Sequence, residues 1–492
     1  MAPLASVAGR GSRTLTLAVL ALTGLMLVLD ITITNVALPT IQHDLGATTQ
    51  DLQWVVNGYA LAAGGFLLLG GRLADRLGRR RVFLAGMTIF AVGSLLGGLA
   101  PSVGWLVATR GLQGLGAALS GPAAFSIITT TFAEGPERNR AVGLWSATAA
   151  AGGALGMLAG GLLTQYAGWR WVLFVNVPVA ALVLVATPRL VADVPGEPEA
   201  RTDVAGAASV TGGLLALVYA TTLVPTHGWT AARTLGLFLA AALLLAAFVV
   251  VEARRRAPLV PLGLFRRRSL TGAVSVGLLV GAGLIAAPIF FVTLYLQQIL
   301  GFSAIQAGLG SLPLALAVIA AARLATGLIG PFGAKRLAAA GLLASAVALL
   351  LLGRVQPAGS YLADVLGPVL LQGFGMGLVF MPVMVSAVAG VAPADQGLVS
   401  GILQTTQQVG VALGMAALTT VATATSQDLL GDRSPSDPAA VQQALTGGYA
   451  AGVRGAALVA LAGAALTILL LPSSHPAPDP DTATAPTRRS PA

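Results

Sequence analysis

Beyond its first residues the chain is a succession of long apolar stretches divided by short polar turns. The runs are continuous, without the period-two alternation that the strands of a membrane barrel require. A helix needs about 20 consecutive apolar residues to cross a bilayer, and only helices and closed barrels satisfy every backbone polar group there. The pattern therefore predicts an all-α integral membrane protein of about fourteen spans, at 14–39, 52–71, 82–100, 104–127, 140–165, 171–190, 205–224, 233–252, 271–297, 304–325, 336–353, 361–385, 397–422 and 453–472. The tail 473–492 is rich in Pro, Thr, Ala and Asp and is expected to be disordered.

Composition supports the same class. Apolar residues make up 56% of the chain and charged ones 9%, outside the range of soluble globular proteins. Arg10 and Arg13 before the first span suggest a signal peptide, but the run is too long for an h-region, contains Asp30 and lacks a small-residue cleavage site; the span is expected to be retained. There is no cysteine, which excludes disulfides and Cys-based metal or redox sites. His43, His227 and His475 lie outside the spans, and neither paired acids nor a Walker-type Gly–Lys loop occurs. An embedded enzyme, an ATP-driven pump, a metal and an organic cofactor are thus not expected.

The net charge of +10 is read as membrane orientation and not as a nucleic-acid surface, because the arginines gather in particular loops. If helices alternate, Arg10 and Arg13, the segment Gly71–Arg81 with its five arginines, Arg254–Arg256, Arg266–Arg268, and Lys335 with Arg336 share one side. The other side takes His43, Asp44, Asp51, the Pro101-Ser102 turn and the polar stretch from Ser426 to Gln443. Both termini are thereby expected in the cytoplasm, with an even number of helices. The 71–81 loop also has a degraded echo. Gly333 aligned on Gly78 puts Leu328 on Leu73, Lys335 on Arg80 and Arg336 on Arg81, with Gly330 and Pro331 replacing Asp75 and Arg76. Two six-helix halves account for the echo. The expected organisation is a segment 1–13, a first half 14–190, a linker with two inserted helices 191–252, an arginine-rich linker 253–270, a second half 271–472 and the tail.

The loop pattern G-x-L-A-D-R-x-G-R-R-R resembles the signature between the second and third helices of the major facilitator superfamily. The sequence Leu-Asp-Ile-Thr-Ile-Thr-Asn-Val-Ala-Leu-Pro, Leu29 to Pro39, resembles the first-helix signature of that superfamily's fourteen-helix drug:proton antiporter branch. Arg110-Gly111-Leu112-Gln113-Gly114 resembles its fourth-helix signature. Gly143, Gly152, Gly156, Gly160 and Gly161 follow the glycine spacing of the antiporter helix, with Met157 where the family usually has proline. Trp169-Arg170-Trp171, Asn176-Val177-Pro178 and Gly397-Leu398-Val399-Ser400-Gly401 are similar to the same branch. The resemblance implies a proton-coupled antiporter that exports lipophilic drugs or antibiotics by alternating access, driven by the proton gradient, monomeric, in the bacterial inner membrane. A proton-coupled importer or exporter of one metabolite on the same fold, and more distantly a channel, are the alternatives.

Asp30 is the one carboxylate placed well inside a span; a charged aspartate at mid-helix costs about 3 kcal/mol on insertion scales, so it should face a cavity or a partner. Asp30 and Arg110 lie roughly 14 and 9 Å from the same side at 1.5 Å per residue, which makes Arg110 the candidate partner. Burial favours a neutral acid and a nearby arginine favours the carboxylate, so altering their separation or hydration binds and releases a proton. The competing reading is a permanent ion pair that only fixes helix packing. In the resembling family the 71–81 loop holds the cytoplasmic ends of the halves together in the outward-open state, which implies a gate of Gly71, Asp75, Arg76, Gly78, Arg79 and Arg80; a mere topology anchor is the alternative. Gly152, Gly156 and Gly160 recur every four residues and so pave one helix face for close packing. Asn35, Asn57, Tyr59, Gln113, Gln297, Gln298, Gln372, Gln404, Gln407 and Gln408 are candidates for the substrate path, and interhelical hydrogen bonding explains them equally well.

Overall fold

The computed structural model describes residues 10–132, 136–193, 204–254, 262–389, 391, 396–431 and 437–472, and among these no strand occurs. A long helix lies over each expected span. The first half holds α1 (Arg10–Leu45), α2 (Thr49–Leu77), α3 (Arg79–Gly98), α4 (Val103–Thr131), α5 (Pro136–Tyr166) and α6 (Trp171–Leu190). Then come α7 (Val204–His227) and α8 (Ala232–Arg254), followed by α9 (Arg268–Ile299), α10 (Ala304–Phe332), α11 (Ala334–Leu352), α12 (Tyr361–Val388), α13 (Gln396–Leu430) and α14 (Pro438–Leu470). Among the described residues, 11 helices are long and apolar enough to cross a membrane; α2, α5 and α7 fall outside that set.

The helices outrun the apolar runs. α1 continues through Pro39 to Leu45, α13 reaches Leu430 and α14 begins at Pro438, so much of the polar stretch expected as a loop at 426–443 is helical. Helical hydrogen bonding does not stop where apolarity stops; it stops at a cap. Asp437 accepts a hydrogen bond from the Ala439 amide at 3.0 Å, and Pro438 at the first turn has no N–H to leave unpaired. Thr48 and Asp51 form a capping box that starts α2, with bonds of 2.9 and 3.1 Å, and Ser303 with Gln306 does the same for α10. α9 is less regular, with π-helical turns at Gly281–Ile285 and Tyr295–Ile299.

The internal echo is structural. Gly78 joins α2 to α3 at φ +98°, and Gly333 joins α10 to α11 at φ +77°, a region that favours glycine. The packing repeats as well: α1 against α5, α4 against α2 and α3, and α3 against α6 are matched by α9 against α13, α12 against α10 and α11, and α11 against α14. α7 and α8 pack on one another, and α7 reaches both α2 and α13. On α8 the side chains of Leu235, Leu239 and Leu243 are each more than half exposed, as on a helix facing lipid.

Between the halves the main contacts are α2 with α13 and α5 with α10. At the end remote from the arginines they are joined by hydrogen bonds: Gln297 donates to the Val36 carbonyl at 2.9 Å, Gln298 to Gln42 at 2.6 Å, and the Ile305 amide to Gln165 at 3.3 Å. A Cβ added to Gly161 would lie 2.7 Å from the Ala304 carbonyl, and one on Gly308 would overlap the Met157 carbonyl. The backbones of α5 and α10 therefore touch at this end. Toward the arginine-rich end, a Cβ on Gly327 or Gly330 of α10 would meet nothing within 4 Å.

Candidate functional site

Asp30 is fully buried at the middle of α1, and Arg110 of α4 is 2% exposed. The arginine Nη1 donates directly to the Asp30 Oδ2. The other carboxylate oxygen accepts from Gln113 at 3.0 Å and from Asn176 at 2.7 Å. Three donors thus converge on one carboxylate from α4 and from the start of α6, which compensates its removal from water. Arg110 has further partners. Its Nε donates to the Val55 carbonyl of α2 at 3.2 Å and its Nη1 to Gln113 Oε1 at 2.9 Å, while the guanidinium lies 4.5 Å from the centre of the Tyr59 ring. Gln113 also donates to Ser94 of α3 at 2.8 Å. The site therefore draws on α1, α2, α3, α4 and α6.

Local sequence explains why these helices come so close. Gly114 of α4 packs on the Tyr59 carbonyl of α2, and Gly116 faces α3, where an added Cβ would lie 2.7 Å from the Gly86 carbonyl. Glycine on α4 thus brings neighbouring backbones within reach of the Arg110 and Gln113 side chains. Chemically the arrangement can hold either a charged pair or, once Asp30 is protonated, a neutral acid beside an arginine that keeps a carbonyl, an amide oxygen and an aromatic face.

The expected sites fall in distinct places. Asp30 and Arg110 are paired. Gln113 and Tyr59, candidates for the substrate path or for interhelical bonding, lie in this buried cluster; Asn176 and Ser94 join it without having been assigned a site role from sequence. Asn176 stood within the quoted Asn-Val-Pro motif, whereas Ser94 carried no comparable signal. Gln297 and Gln298 link the halves, and Gln298 also accepts from Tyr449 at 2.6 Å. Asn57 and Gln53 are buried on α2 with no hydrogen-bond partner at either amide atom, and the Asn35 Oδ1 is likewise unpartnered. Gln404 is exposed, Gln407 is half-buried, and Gln408 packs against Gly64 of α2. Gln372 is buried on α12.

In the arginine loop, Gly71 has only Pro122 near its α-carbon, at 4.0 Å from an added Cβ, and Gly78 makes the turn. Arg76 is exposed and Arg79 half-buried. Arg80 donates to the Val191 carbonyl at 3.0 Å, and both Arg80 and Arg81 pair with Asp193, at 3.2 and 3.3 Å. These partners follow α6 in the same half. Asp75 lies on α2, with its side chain outside the described residues.

On α5 the glycines serve two partners. A Cβ on Gly152 would lie 2.6 Å from the Leu25 carbonyl, one on Gly156 would overlap Thr32 Oγ1, and one on Gly160 would lie 3.0 Å from the Ile33 carbonyl. These three face α1, whereas Gly161 faces α10. Gly143 is on the same helix, with its surroundings outside the described residues. Met157 is buried, and α5 runs unbroken from Pro136 to Tyr166. Beyond it, Asp44 at the end of α1 accepts from the Trp169 indole at 2.8 Å and from Arg170 at 2.7 Å, and Arg170 also reaches the Ala100 carbonyl at 3.4 Å. The Trp-Arg pair thus ties together the remote ends of α1, α3 and α6.

The sequence profile of the Major Facilitator Superfamily matches residues 20–415. The chain is 41% identical over 458 residues to the puromycin resistance protein pur8 of Streptomyces alboniger, covering 92% of this chain and 90% of that protein. It is 43% identical over 426 residues to the cephamycin export protein CmcT of Amycolatopsis lactamdurans, covering 85% and 87%. Among solved structures, the POT family transporter PepTSo superposes with a TM-score of 0.65 at 18% identity, covering 92% of this chain and 97% of that one, a likeness of fold alone.

Proposed function

Since the chain belongs to the major facilitator superfamily, we propose that it expels lipophilic antibiotics or drugs from a bacterial cell in exchange for protons. Two of its relatives are named for puromycin resistance and cephamycin export, which supports an antibiotic-like substrate. The observation that carries proton coupling is the fully buried Asp30, held by Arg110, Gln113 and Asn176. An ionisable group buried among membrane helices is a functional site by default. Protonation of Asp30 weakens the pair, and Arg110 then keeps the Val55 carbonyl, Gln113 Oε1 and the Tyr59 ring as partners. The arginine is not stranded, so the exchange avoids the full cost of an unpaired buried charge. Val55 and Tyr59 lie on α2, whose far end carries the arginine loop, so the proton site and the loop share one rigid element.

In this reading the hydrogen bonds at Gln297, Gln298 and Ile305 close the outer side, and the conformation faces inward. Arg80 and Arg81 rest on the end of α6 in this state, and the gate of Gly71, Asp75, Arg76, Gly78, Arg79 and Arg80 engages the opposite half when the protein opens outward. The two additional helices α7 and α8 support membership of the fourteen-helix branch. The test uses everted membrane vesicles with an imposed pH gradient and puromycin as the probe. Wild-type vesicles are expected to accumulate it only with the gradient, and Asp30→Asn vesicles with equal protein content are expected to lose that accumulation. Retained gradient-driven accumulation in Asp30→Asn sinks the coupling role of Asp30.

A further inference from the structure

The first half carries its charged site at a position that has a counterpart in the second half. The register that puts Gly333 on Gly78 also puts Gly341 of α11 on Gly86 of α3 and Leu314 of α10 on Tyr59 of α2. Gln372-Gly373-Phe374-Gly375 of α12 repeats Gln113-Gly114-Leu115-Gly116 of α4. The contacts repeat with the sequence. Gly373 packs on the Leu314 carbonyl as Gly114 packs on that of Tyr59, and a Cβ on Gly375 would lie 2.6 Å from the Gly341 carbonyl, as one on Gly116 would lie 2.7 Å from that of Gly86.

Within this shared frame the chemistry is exchanged. Val369 stands where Arg110 would be, Leu314 stands for Tyr59, and Gln372 donates at 3.4 Å to the backbone carbonyl of Leu284, as Gln113 donates to the carboxylate of Asp30. That carbonyl belongs to the π-helical turn of α9. A narrow cleft opens here, lined by Leu284, Pro288 and Ile289 of α9, Leu314 of α10, and Val369, Gln372 and Met376 of α12 among others, with no charged side chain in its wall. Gln372 is 2% exposed, and its Oε1 has no hydrogen-bond partner. Because its amide nitrogen must face the Leu284 carbonyl, the free end is an acceptor, not a donor. A buried acceptor without a partner is costly; the other polar side chain in the wall, Ser311, already donates to the Ala307 carbonyl at 2.9 Å.

We propose that this cleft in the second half is a substrate subsite, which seats an aromatic or aliphatic group of a lipophilic ligand and recognises one hydrogen-bond donor on it through Gln372 Oε1. The proposal rests on the export reading for the nature of the ligand, and it divides the labour between the halves: protons in the first, the donor-bearing apolar group in the second. A single unpartnered acceptor in a mostly apolar wall fixes orientation while tolerating varied skeletons. Met376 adapts to differing shapes, being unbranched and flexible.

N-phenyl-1-naphthylamine, which is lipophilic, fluorescent in apolar surroundings and has one N–H, serves as the probe, alongside its N-methyl derivative, which has none. Binding is measured to the full chain in lipid nanodiscs against nanodiscs without protein. The wild type is expected to bind the N–H compound saturably and to prefer it by roughly tenfold, as one hydrogen bond allows. Gln372→Leu is expected to abolish the preference while still binding the N-methyl compound. Met376→Trp and Leu314→Trp, which fill the cleft from two different helices, are each expected to remove saturable binding of both compounds, with thermal unfolding confirming that the variant is folded. No saturable binding by the wild type, a preference that survives Gln372→Leu, or binding that survives in a folded filling variant overturns the proposal. Saturable binding with these effects, but no gradient-driven movement of the probe in vesicles, leaves the subsite standing and overturns export instead.

Discussion

Arg110 is the residue on which the first-half site turns, because it alone meets the Asp30 carboxylate, a backbone carbonyl, an amide and an aromatic ring. Removing it leaves a fully buried carboxylate without its counter-charge, which costs about 3–5 kcal/mol. Purified Arg110→Ala is therefore expected to unfold at a markedly lower temperature than wild type. Lysine does not rescue it, since a single ammonium cannot reproduce the fork that reaches Asp30 and Val55 together. Asp30→Asn combined with Arg110→Ala is expected to be less destabilised than the sum of the single changes; strict additivity in denaturation would reject direct coupling. Asp30 and Arg110 were legible in the sequence because a charge inside an apolar run needs a partner. The neutral members of the cluster were not. Ser94 is a small hydroxyl whose presence in a span signals little, Asn176 was marked only by its motif, and the contacts of Gln113 with Asp30 and Ser94 show only in three dimensions. Only the depth and rotation of α3, α4 and α6 bring them to one carboxylate.

Elements show the same division between what periodicity reveals and what needs three dimensions. The four-residue spacing of Gly152, Gly156 and Gly160 was enough to define a face of α5, but not that this face meets α1 while the adjacent Gly161 meets α10. One helix thus holds its own half together and also touches the other. Gly156→Val is expected to destabilise the protein by about 1–3 kcal/mol, because the new side chain meets Thr32 and the Leu29 carbonyl, which lies 3.0 Å from an added Cβ. Gly153→Ala, where an added Cβ has nothing within 4 Å, is expected to be neutral or to stabilise by up to about 1 kcal/mol through helix propensity. Thermal unfolding of the two variants side by side checks the pair; equal stability of the two would show that contact with α1 does not govern position 156. Apolar runs located the helices, but their ends lie several residues beyond in α1, α13 and α14, where caps rather than hydropathy decide. Met157, in the place of the family's proline, supplies no kink, and α5 is one continuous helix.

At the level of the whole molecule, alternating access requires the hydrogen-bonded end and the arginine-rich end to open in turn. The bonds of Gln297 to Val36 and of Gln298 to Gln42 must then break in every cycle. Two amide contacts with net values of about 1 kcal/mol each suit such a latch, firm enough to register one state and weak enough to release. The absence of cysteine in the chain makes the latch directly testable. Gln42→Cys with Gln298→Cys creates the sole pair of thiols, and a short bis-methanethiosulfonate reagent can bridge them whether or not the geometry suits a direct disulfide. Cross-linking is expected to reduce gradient-driven accumulation of puromycin in everted vesicles to the background level, and reduction of the bridge to restore it. Each single-cysteine variant treated with the same reagent is expected to retain transport, which separates bridging from modification. Undiminished transport at complete cross-linking would mean that the halves need not part between α1 and α9, and the cycle would have to open along α5 and α10 alone, where the close approach of Gly161 and Gly308 would become the moving contact.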